Sequence, residues 1–492
     1  MAGSKNTHGG PDRGPDGPGP RDDVGGLRSV GAALADWWRR APSPRPHHLL
    51  PELTKRSPAQ VALLIFLAAA AGFTALLSLP IAAADGRATP LHDSLFTAVS
   101  AITVTGLVTV DTATHWSFFG QVVILVGIQV GGLGIVTIAL LLARVVTRQL
   151  GVRSKLFAQQ SIGTSKLGEV GTLLRIVVLT TLTIELVLAV VLIPRFIMVE
   201  ESWSEGLWHG LFYAISSFNN AGFVLNKGGL GRFDGDPFIL VPIMVGVFVG
   251  SFGFPVFLTL LNRRLDYKRW TLHTKLTLTV TTILLVIGAV LWGALEWSND
   301  ETIGKLSVGD KVFHALFAST MMRSGGFSLT DVGDSHPVTL LATDALMFVG
   351  GGSASTAGGI KVVTLAVLLL AIVAEARGDR HVTVFSRRIP SDTLRVAISV
   401  TFLGATLVLT ATALLMSVSD APLDRILFEA ISAFATCGLS VGLSEELEPF
   451  GKYVLAALML AGRVGPIGLA AALAIRQRNL LFTAPEERPI VG

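Results

Sequence analysis

The run Phe96-Thr-Ala-Val-Ser-Ala-Ile-Thr-Val-Thr-Gly106-Leu107 is built of small and apolar residues and ends on glycine. It returns as Phe212-Tyr-Ala-Ile-Ser-Ser-Phe-Asn-Asn-Ala-Gly222-Phe223 and as Phe428-Glu-Ala-Ile-Ser-Ala-Phe-Ala-Thr-Cys-Gly438-Leu439. In these three, phenylalanine stands ten positions before the glycine. The remaining copy, Phe317-Ala-Ser-Thr-Met-Met-Arg-Ser-Gly-Gly326-Phe327, is one residue shorter. The glycines recur at intervals of about 110 residues, which marks four copies of one structural unit. None of the short runs, at 92–103, 206–219, 311–322 and 423–435, is long enough to cross a bilayer, which takes about 20 residues.

Each short run lies between two long apolar segments: 58–83 and 118–143, 170–194 and 238–262, 273–295 and 338–374, 394–417 and 453–476. Composition agrees. The 492 residues are 51% hydrophobic and only 15% charged, with mean hydropathy +0.61. A soluble domain carries about 25% charged residues, so the deficit speaks against a cytosolic enzyme. Basic residues gather between the pairs, at Arg144, Arg148, Arg153 and Lys155, at Arg263, Arg264, Lys268 and Arg269, and at Arg377, Arg380, Arg387 and Arg388. Arg476 and Arg478 follow the last pair. The positive-inside rule places these clusters and both termini in the cytoplasm, so the short runs dip in from outside.

The expected fold is therefore an all-α polytopic membrane protein. Four pseudo-fourfold repeats of transmembrane helix, re-entrant pore helix and transmembrane helix surround one central axis, which the loop chemistry below makes an ion pathway. Residues 1–56, rich in Gly, Pro, Asp and Arg, form a mostly disordered cytoplasmic tail. Residues 27–40 within it read either as an amphipathic surface helix or as solvated chain. The repeats occupy 57–150, 151–265, 266–390 and 391–492, the last with a short cytoplasmic C-terminus. The first apolar run begins near Val61 behind a polar N-terminus, and nothing there resembles a cleavable signal. Net charge is +4 and no nucleic-acid module is visible, so no nucleic-acid partner is expected. The single cysteine, Cys437, excludes an intrachain disulfide or a multi-cysteine metal site.

A short helix followed by a small-polar stretch ending in Gly sets backbone carbonyls beyond a helix C-terminus. Four such loops around one axis can replace the hydration shell of a cation. The helix ends add about half a negative charge each. Irregular backbone at membrane depth is tolerated where it lines a water-filled path or is buried in protein. Close helix packing accounts for an isolated glycine but poorly for four in register. A second irregular stretch, Gly350-Gly-Gly-Ser-Ala-Ser-Thr-Ala-Gly-Gly359, holds five glycines in ten positions. At about 1 kcal/mol per glycine relative to alanine, it breaks the helix at 338–374. Without a family to compare, that break reads either as a movable element or as a kinked, close-packed helix.

At these residues the chain resembles the Trk/Ktr/HKT superfamily of potassium transporters, and within it the Ktr-type membrane subunits. The resemblance covers about 57–492 and rests on Ser217-Phe-Asn-Asn-Ala-Gly-Phe223, Gly351-Gly-Ser-Ala-Ser-Thr-Ala-Gly-Gly-Ile-Lys361, Gly462-Arg-Val-Gly-Pro466 and Pro485-Glu-Glu-Arg-Pro-Ile-Val-Gly492. It implies a potassium-binding filter of backbone carbonyls at Thr103, Val104, Thr105 and Gly106, then Asn219, Asn220, Ala221 and Gly222. Arg323, Ser324, Gly325 and Gly326, then Ala435, Thr436, Cys437 and Gly438, complete it. Ser324-Gly325 stands where Thr-Ala is common in the family, and Ala435 and Cys437 where Gly and Val are common. The resemblance also makes the stretch from Gly350 to Gly359 an intramembrane gating loop, with Gly350, Gly351, Gly352, Ser353, Ser355, Thr356, Gly358 and Gly359 as its gating residues.

Two cations lie beside that loop, and charges inside a bilayer must face water or a partner. Arg463, in the last inner segment, is read as a donor to loop carbonyls that holds the gate shut or limits its travel, or as a structural brace. Lys361 either joins it or snorkels to the cytoplasmic side. Arg323 is expected to offer its carbonyl while its guanidinium braces the loop from behind. Glu185 is expected to pair with a polar group between repeats, and Glu429 to brace its helix or attract cations. Asp344 is read as a vestibule acid or a solvated helix-start residue, and Cys437 as a neighbour of the permeation path or a small buried hydrophobe.

The resemblance implies a channel-like potassium uptake subunit, with K+ as the transported ion and Na+ as a candidate activator. It implies a homodimer in the plasma membrane, docked on a cytoplasmic KtrA-like ring that alone binds nucleotide (ATP or ADP). A Trk-type or Na+-coupled symporter is the alternative. Catalysis is not expected: the histidines are scattered and no Gly-Lys-Ser/Thr phosphate loop occurs.

Overall fold

A computed structural model describes residues 58–149, 170–263 and 266–475. The expected N-terminal tail and its surface helix, Arg153, Lys155, Arg264, Arg476, Arg478 and the terminal 485–492 motif lie outside these residues. The described chain is helical. Its elements are α1 (Pro58–Leu77), α2 (Leu91–Thr103), α3 (Phe118–Gln149), α4 (Val170–Val199), α5 (Trp203–Phe218), α6 (Pro237–Gly250), α7 (Phe254–Arg263) and α8 (Leu272–Glu296). Then come α9 (Val308–Met321), α10 (Pro337–Met347), α11 (Val362–Ala376), α12 (Ser391–Met416), α13 (Leu423–Ala435), α14 (Leu443–Glu446) and α15 (Pro449–Ile475). One departure from all-α is a hairpin of β1 (Thr383–Val384) and β2 (Arg387–Arg388), in which Thr383 faces Arg388.

Helix starts follow local chemistry. Asp236, Thr271 and Ser307 accept from backbone N–H groups at the starts of α6, α8 and α9. Proline precedes α2, α12 and α13, where a missing N–H costs nothing. Four short helices, α2, α5, α9 and α13, stand where the glycine-terminated runs predict them. Each buries its phenylalanine: Phe96, Phe212, Phe317 and Phe428 are at most 1% exposed. The outer faces of the long helices are apolar and open, as at Leu182, Leu186 and Val190 on α4 and Ile283, Val286 and Val290 on α8. In water such faces would be a large unsatisfied patch; in a bilayer they are the lipid contact.

Among the described residues, Arg175–Val199, Leu272–Glu296 and Ser391–Met416 are long and apolar enough to cross a membrane. One segment expected to be continuous is broken, and one is broken where its glycines predict. The 238–262 segment bends by 94° between α6 and α7, and the 338–374 segment is split into α10 and α11 by the glycine-rich stretch. The bend has a local cause: Gly253 takes φ +86° and Pro255 follows it, so the helix restarts rather than continues.

The chain closes on itself. Helix α15 packs on α12 and α13, and also against α1, α2 and α3. Lys452 of α15 donates to Asp93 of α2 at 2.8 Å, with both side chains 9% exposed. A buried pair of this kind is costly to break from one side, since the partner is left as a stranded charge.

Candidate functional site

The ends of α2, α5, α9 and α13 meet. A Cβ on Gly106 would press on the Ala221 carbonyl and lie 3.0 Å from Gly222 Cα. On Gly222 it would lie 3.0 Å from Gly326 Cα, and on Gly326 it would lie 2.6 Å from Cys437 O and 3.2 Å from Gly438 Cα. On Gly438 it would press on Thr105 O and lie 3.3 Å from Gly106 Cα. Each loop touches the next and the fourth returns to the first, so the four glycines form a closed ring with no room for side chains.

All four loops share one backbone form. The glycines have φ of 95°, 68°, 73° and 93°. Two residues earlier Val104, Asn220, Ser324 and Thr436 are also left-handed, at 55°, 60°, 105° and 47°. Holding a non-glycine residue there costs about 1–2 kcal/mol, so the loops must be tied down. The Thr105 and Gly106 N–H groups donate to Ser100 O (2.8 Å) and Oγ (3.0 Å). Cys437 and Gly438 repeat this on Ser432 at 2.9 and 3.1 Å. Ala221 donates to Ser216 O at 2.8 Å and Gly325 to Met321 O at 2.7 Å. In a trans peptide the carbonyl points opposite its N–H. The carbonyls of Val104, Thr105, Asn220, Ser324 and Cys437 are thereby turned away from their own helices. The corresponding Thr436 carbonyl accepts from Ser324 Oγ at 3.2 Å.

Side chains hold the second and third loops from behind. Asn219 Nδ2 donates to Glu185 Oε1 (2.9 Å) and Gln129 Oε1 (3.1 Å), and Gln129 Nε2 donates to Glu185 Oε2 (3.1 Å). Arg323 turns its guanidinium outward, and Nη1 donates to Thr281 O at 3.0 Å. Asn220 shares a 2.8 Å hydrogen bond with Ser251 at the α6–α7 bend. Cys437 is fully buried with Sγ 3.5 and 3.4 Å from the carbonyls of Met321 and Met322, so its side chain fills a gap between loops and does not face the axis.

The glycine-rich stretch runs against these loops. It leaves α10 and rejoins α11 through a bridge between Val349 and Ile360, with Gly350 N–H on Ile360 O at 2.9 Å. It is tied to the bend by Gly352 N–H to Ser251 O (2.7 Å) and Phe254 N–H to Ala354 O (3.1 Å). Thr356 Oγ1 reaches Gly250 O (3.1 Å) and Phe218 O (3.4 Å), and Gly358 sits so close to Ala435 and Thr436 that no Cβ fits. Arg463, 1% exposed, donates through Nη1 to Thr356 O, while its Nε and Nη2 have no partner among the described residues. Lys361 folds back on Ala357 O and Gly358 O rather than snorkelling away. Two cations therefore hold three successive carbonyls of the stretch.

Other acids serve the outer connections. Glu429 is fully buried and accepts from Ser440 Oγ (2.8 Å), Ser444 and the Val441 N–H, which folds the segment after Gly438 back on α13. Asp344 is 4% exposed with Oδ1 unpartnered, so the solvated helix-start reading is wrong. Beyond α4, burial works against the Glu200 charge, but His209, Asn226 and Arg232 outweigh it and hold the carboxyl below the usual glutamate range. Asn226 in turn accepts from Tyr213, whose hydroxyl takes the Leu225 N–H at 3.1 Å, fixing the segment after Gly222. Among the described residues no three His, Cys, Asp or Glu side chains gather to hold a metal.

Sequence reasoning missed the Ser251–Gly253 bend, although Gly253 and Pro255 signal it. It also missed Gln129 and Thr281, which carry no local signal.

The sequence model of the family described as TrkH, cation transport protein, matches residues 59–480. The chain is 38% identical to Ktr system potassium uptake protein B of Bacillus subtilis, over 80% of this chain and 87% of that one. It is 35% identical to the protein of that name from Vibrio alginolyticus, over 88% and 94%. Against the potassium/sodium uptake protein NtpJ of Enterococcus hirae, identity is 32% over 85% and 93%. The fold is similar to the crystal structure of the potassium transporter TrkH from Vibrio parahaemolyticus, with TM-score 0.69 and 16% identity over 90% of this chain and 89% of that one. The chain belongs to the TrkH family of cation transport proteins, a family of membrane transporters and not of enzymes.

Proposed function

We propose that this chain is the ion-translocating membrane subunit of a Ktr-type potassium uptake system. The observation that carries the reading is the closed ring of four glycine-ended loops, each with N–H groups spent on its own helix. A ring of carbonyls so presented replaces the water around a bare monovalent cation. In this reading 103–106, 219–222, 323–326 and 435–438 are the filter, and the four units 57–150, 151–265, 266–390 and 391–492 each contribute one loop. The chain crosses the membrane repeatedly, with both termini in the cytoplasm, and K+ moves inward down its electrochemical gradient.

The glycine-rich stretch is the gate. Its bonds to α6, to the bend and to Arg463 support a closed position against the filter loops, and its lack of helix leaves it free to be displaced. Two copies of the chain form the membrane dimer. A nucleotide-binding ring on the cytoplasmic side moves the gate, with ATP or ADP bound on the ring and Na+ acting as an activator. The name of the Enterococcus relative, a potassium/sodium uptake protein, favours a second reading in which Na+ is co-transported.

Growth separates these. In bacteria lacking their own potassium uptake, the chain expressed with its candidate ring is expected to restore growth at low external K+ without added Na+. Where growth depends on Na+, labelled Na+ entering in step with K+ marks coupling and K+ uptake without Na+ entry marks activation, and no restoration with protein in the membrane counts against potassium uptake.

A further inference from the structure

The four filter loops are not supported alike. In the first and fourth, a serine six residues upstream caps the glycine N–H: Ser100 on Gly106 at 3.0 Å and Ser432 on Gly438 at 3.1 Å. The equivalent Ser216 instead donates to Phe223 O at 3.3 Å, so the second loop lacks this tie. The second loop is also the one whose Phe218 carbonyl receives Thr356 of the glycine-rich stretch, at 3.4 Å. Movement of that stretch pulls directly on it.

Beside the Ala221–Ser216 and Asn220–Ser251 bonds, the second loop is held behind Asn219 by a triangle. Glu185 of α4, 5% exposed, accepts from Asn219 and Gln129, and those two amides bond each other at 3.1 Å. Both carboxylate oxygens face N–H donors, which suits an acceptor-only group. Gly132 of α3 makes room for the triangle: a Cβ there would fall on Asn219 Oδ1 and lie 2.9 Å from its Cγ. The amide of Asn219 is therefore locked in one orientation, and with it the first residue of the second filter strand.

We infer that Glu185 is the positioning residue of the second filter loop: through Asn219 it keeps that loop at potassium-sized spacing while the adjoining gate moves. This rests on the filter reading above. Glutamine at 185 would introduce a donor among donors and force one amide to give way. Moving the carboxylate to position 129 while placing the amide at 185 rebuilds the same triangle in mirror image.

The test compares K+ and Na+ flux ratios of full-length chains in liposomes. Glu185→Gln is expected to lower the K+:Na+ ratio about tenfold, the effect of leaving one buried donor unpaired. The double variant Glu185→Gln with Gln129→Glu is expected to recover most of that loss. A wild-type ratio in Glu185→Gln, or a swap no better than the single variant, overturns the inference. Should Glu185→Gln fail to fold, Asn219→Ala cuts the same link from the loop side, and a wild-type ratio there overturns it equally. Gly222→Ser serves as control. If it changes the ratio while Glu185→Gln does not, Glu185 alone is misassigned; if Gly222→Ser is silent, the filter reading falls.

Discussion

Gly326→Ser is expected to remove most of the preference for K+ over Na+, lowering the flux ratio at least about tenfold. The reason is geometric. Gly326 has φ +73°, and a Cβ there meets Cys437 O at 2.6 Å, Gly222 Cα at 3.0 Å and Gly438 Cα at 3.2 Å. All three are backbone atoms of neighbouring loops, so no flexible side chain can yield. Left-handed backbone adds about 1–2 kcal/mol for any residue with a Cβ. The third loop has to retreat and take its carbonyls out of the ring. The serine hydroxyl then offers a smaller, wetter site that discriminates poorly. Rubidium uptake with competing Na+ reads the change; an unaltered ratio in folded protein would remove Gly326 from the filter.

Shortening the glycine-rich stretch is expected to have the larger effect on rate. Deletion of 353–357 removes Thr356, with its bonds to Gly250, Phe218 and Arg463, and the Ala354 carbonyl that takes the Phe254 N–H. The bond from Gly350 N–H to Ile360 O, which joins the two ends of the stretch, lies outside the deletion. Four lost hydrogen bonds at about 0.5–1.5 kcal/mol each take at least about 2 kcal/mol from the closed position, so basal flux without a regulatory partner should rise at least about thirtyfold. Flux equal to or below wild type, in protein of normal yield and monodispersity, would mean that the stretch does not obstruct the path.

The parts legible in the sequence are those written in local patterns. Four short helices with buried phenylalanines at Phe96, Phe212, Phe317 and Phe428 follow from the Phe-to-Gly spacing, and the helix break at 350–359 follows from five glycines. The 94° bend did not emerge because 238–262 is apolar on average, and hydropathy passes over the Gly253 and Pro255 that mark it. Pairings across the fold were equally hidden. Asp93 and Lys452 lie 359 residues apart, and Asn219 meets Gln129 from 90 residues away. Lys361 had two readings from sequence, and the nearby carbonyls of Ala357 and Gly358 decide between them. Cys437 illustrates the limit of a one-dimensional reading. Its position in the loop is next to the ring, yet its thiol points at Met321 and Met322, because left-handed Thr436 turns the chain there.

The claim on which the rest depends is that this chain alone forms a path selecting K+. Purified full-length protein in liposomes, loaded for rubidium or potassium exchange and challenged with sodium, tests it directly. Cation flux that K+ and Rb+ support well and Na+ supports poorly, and that a nucleotide-binding ring increases, is the expected result. Equal flux of K+ and Na+ through intact protein, or none with or without the ring, would contradict it.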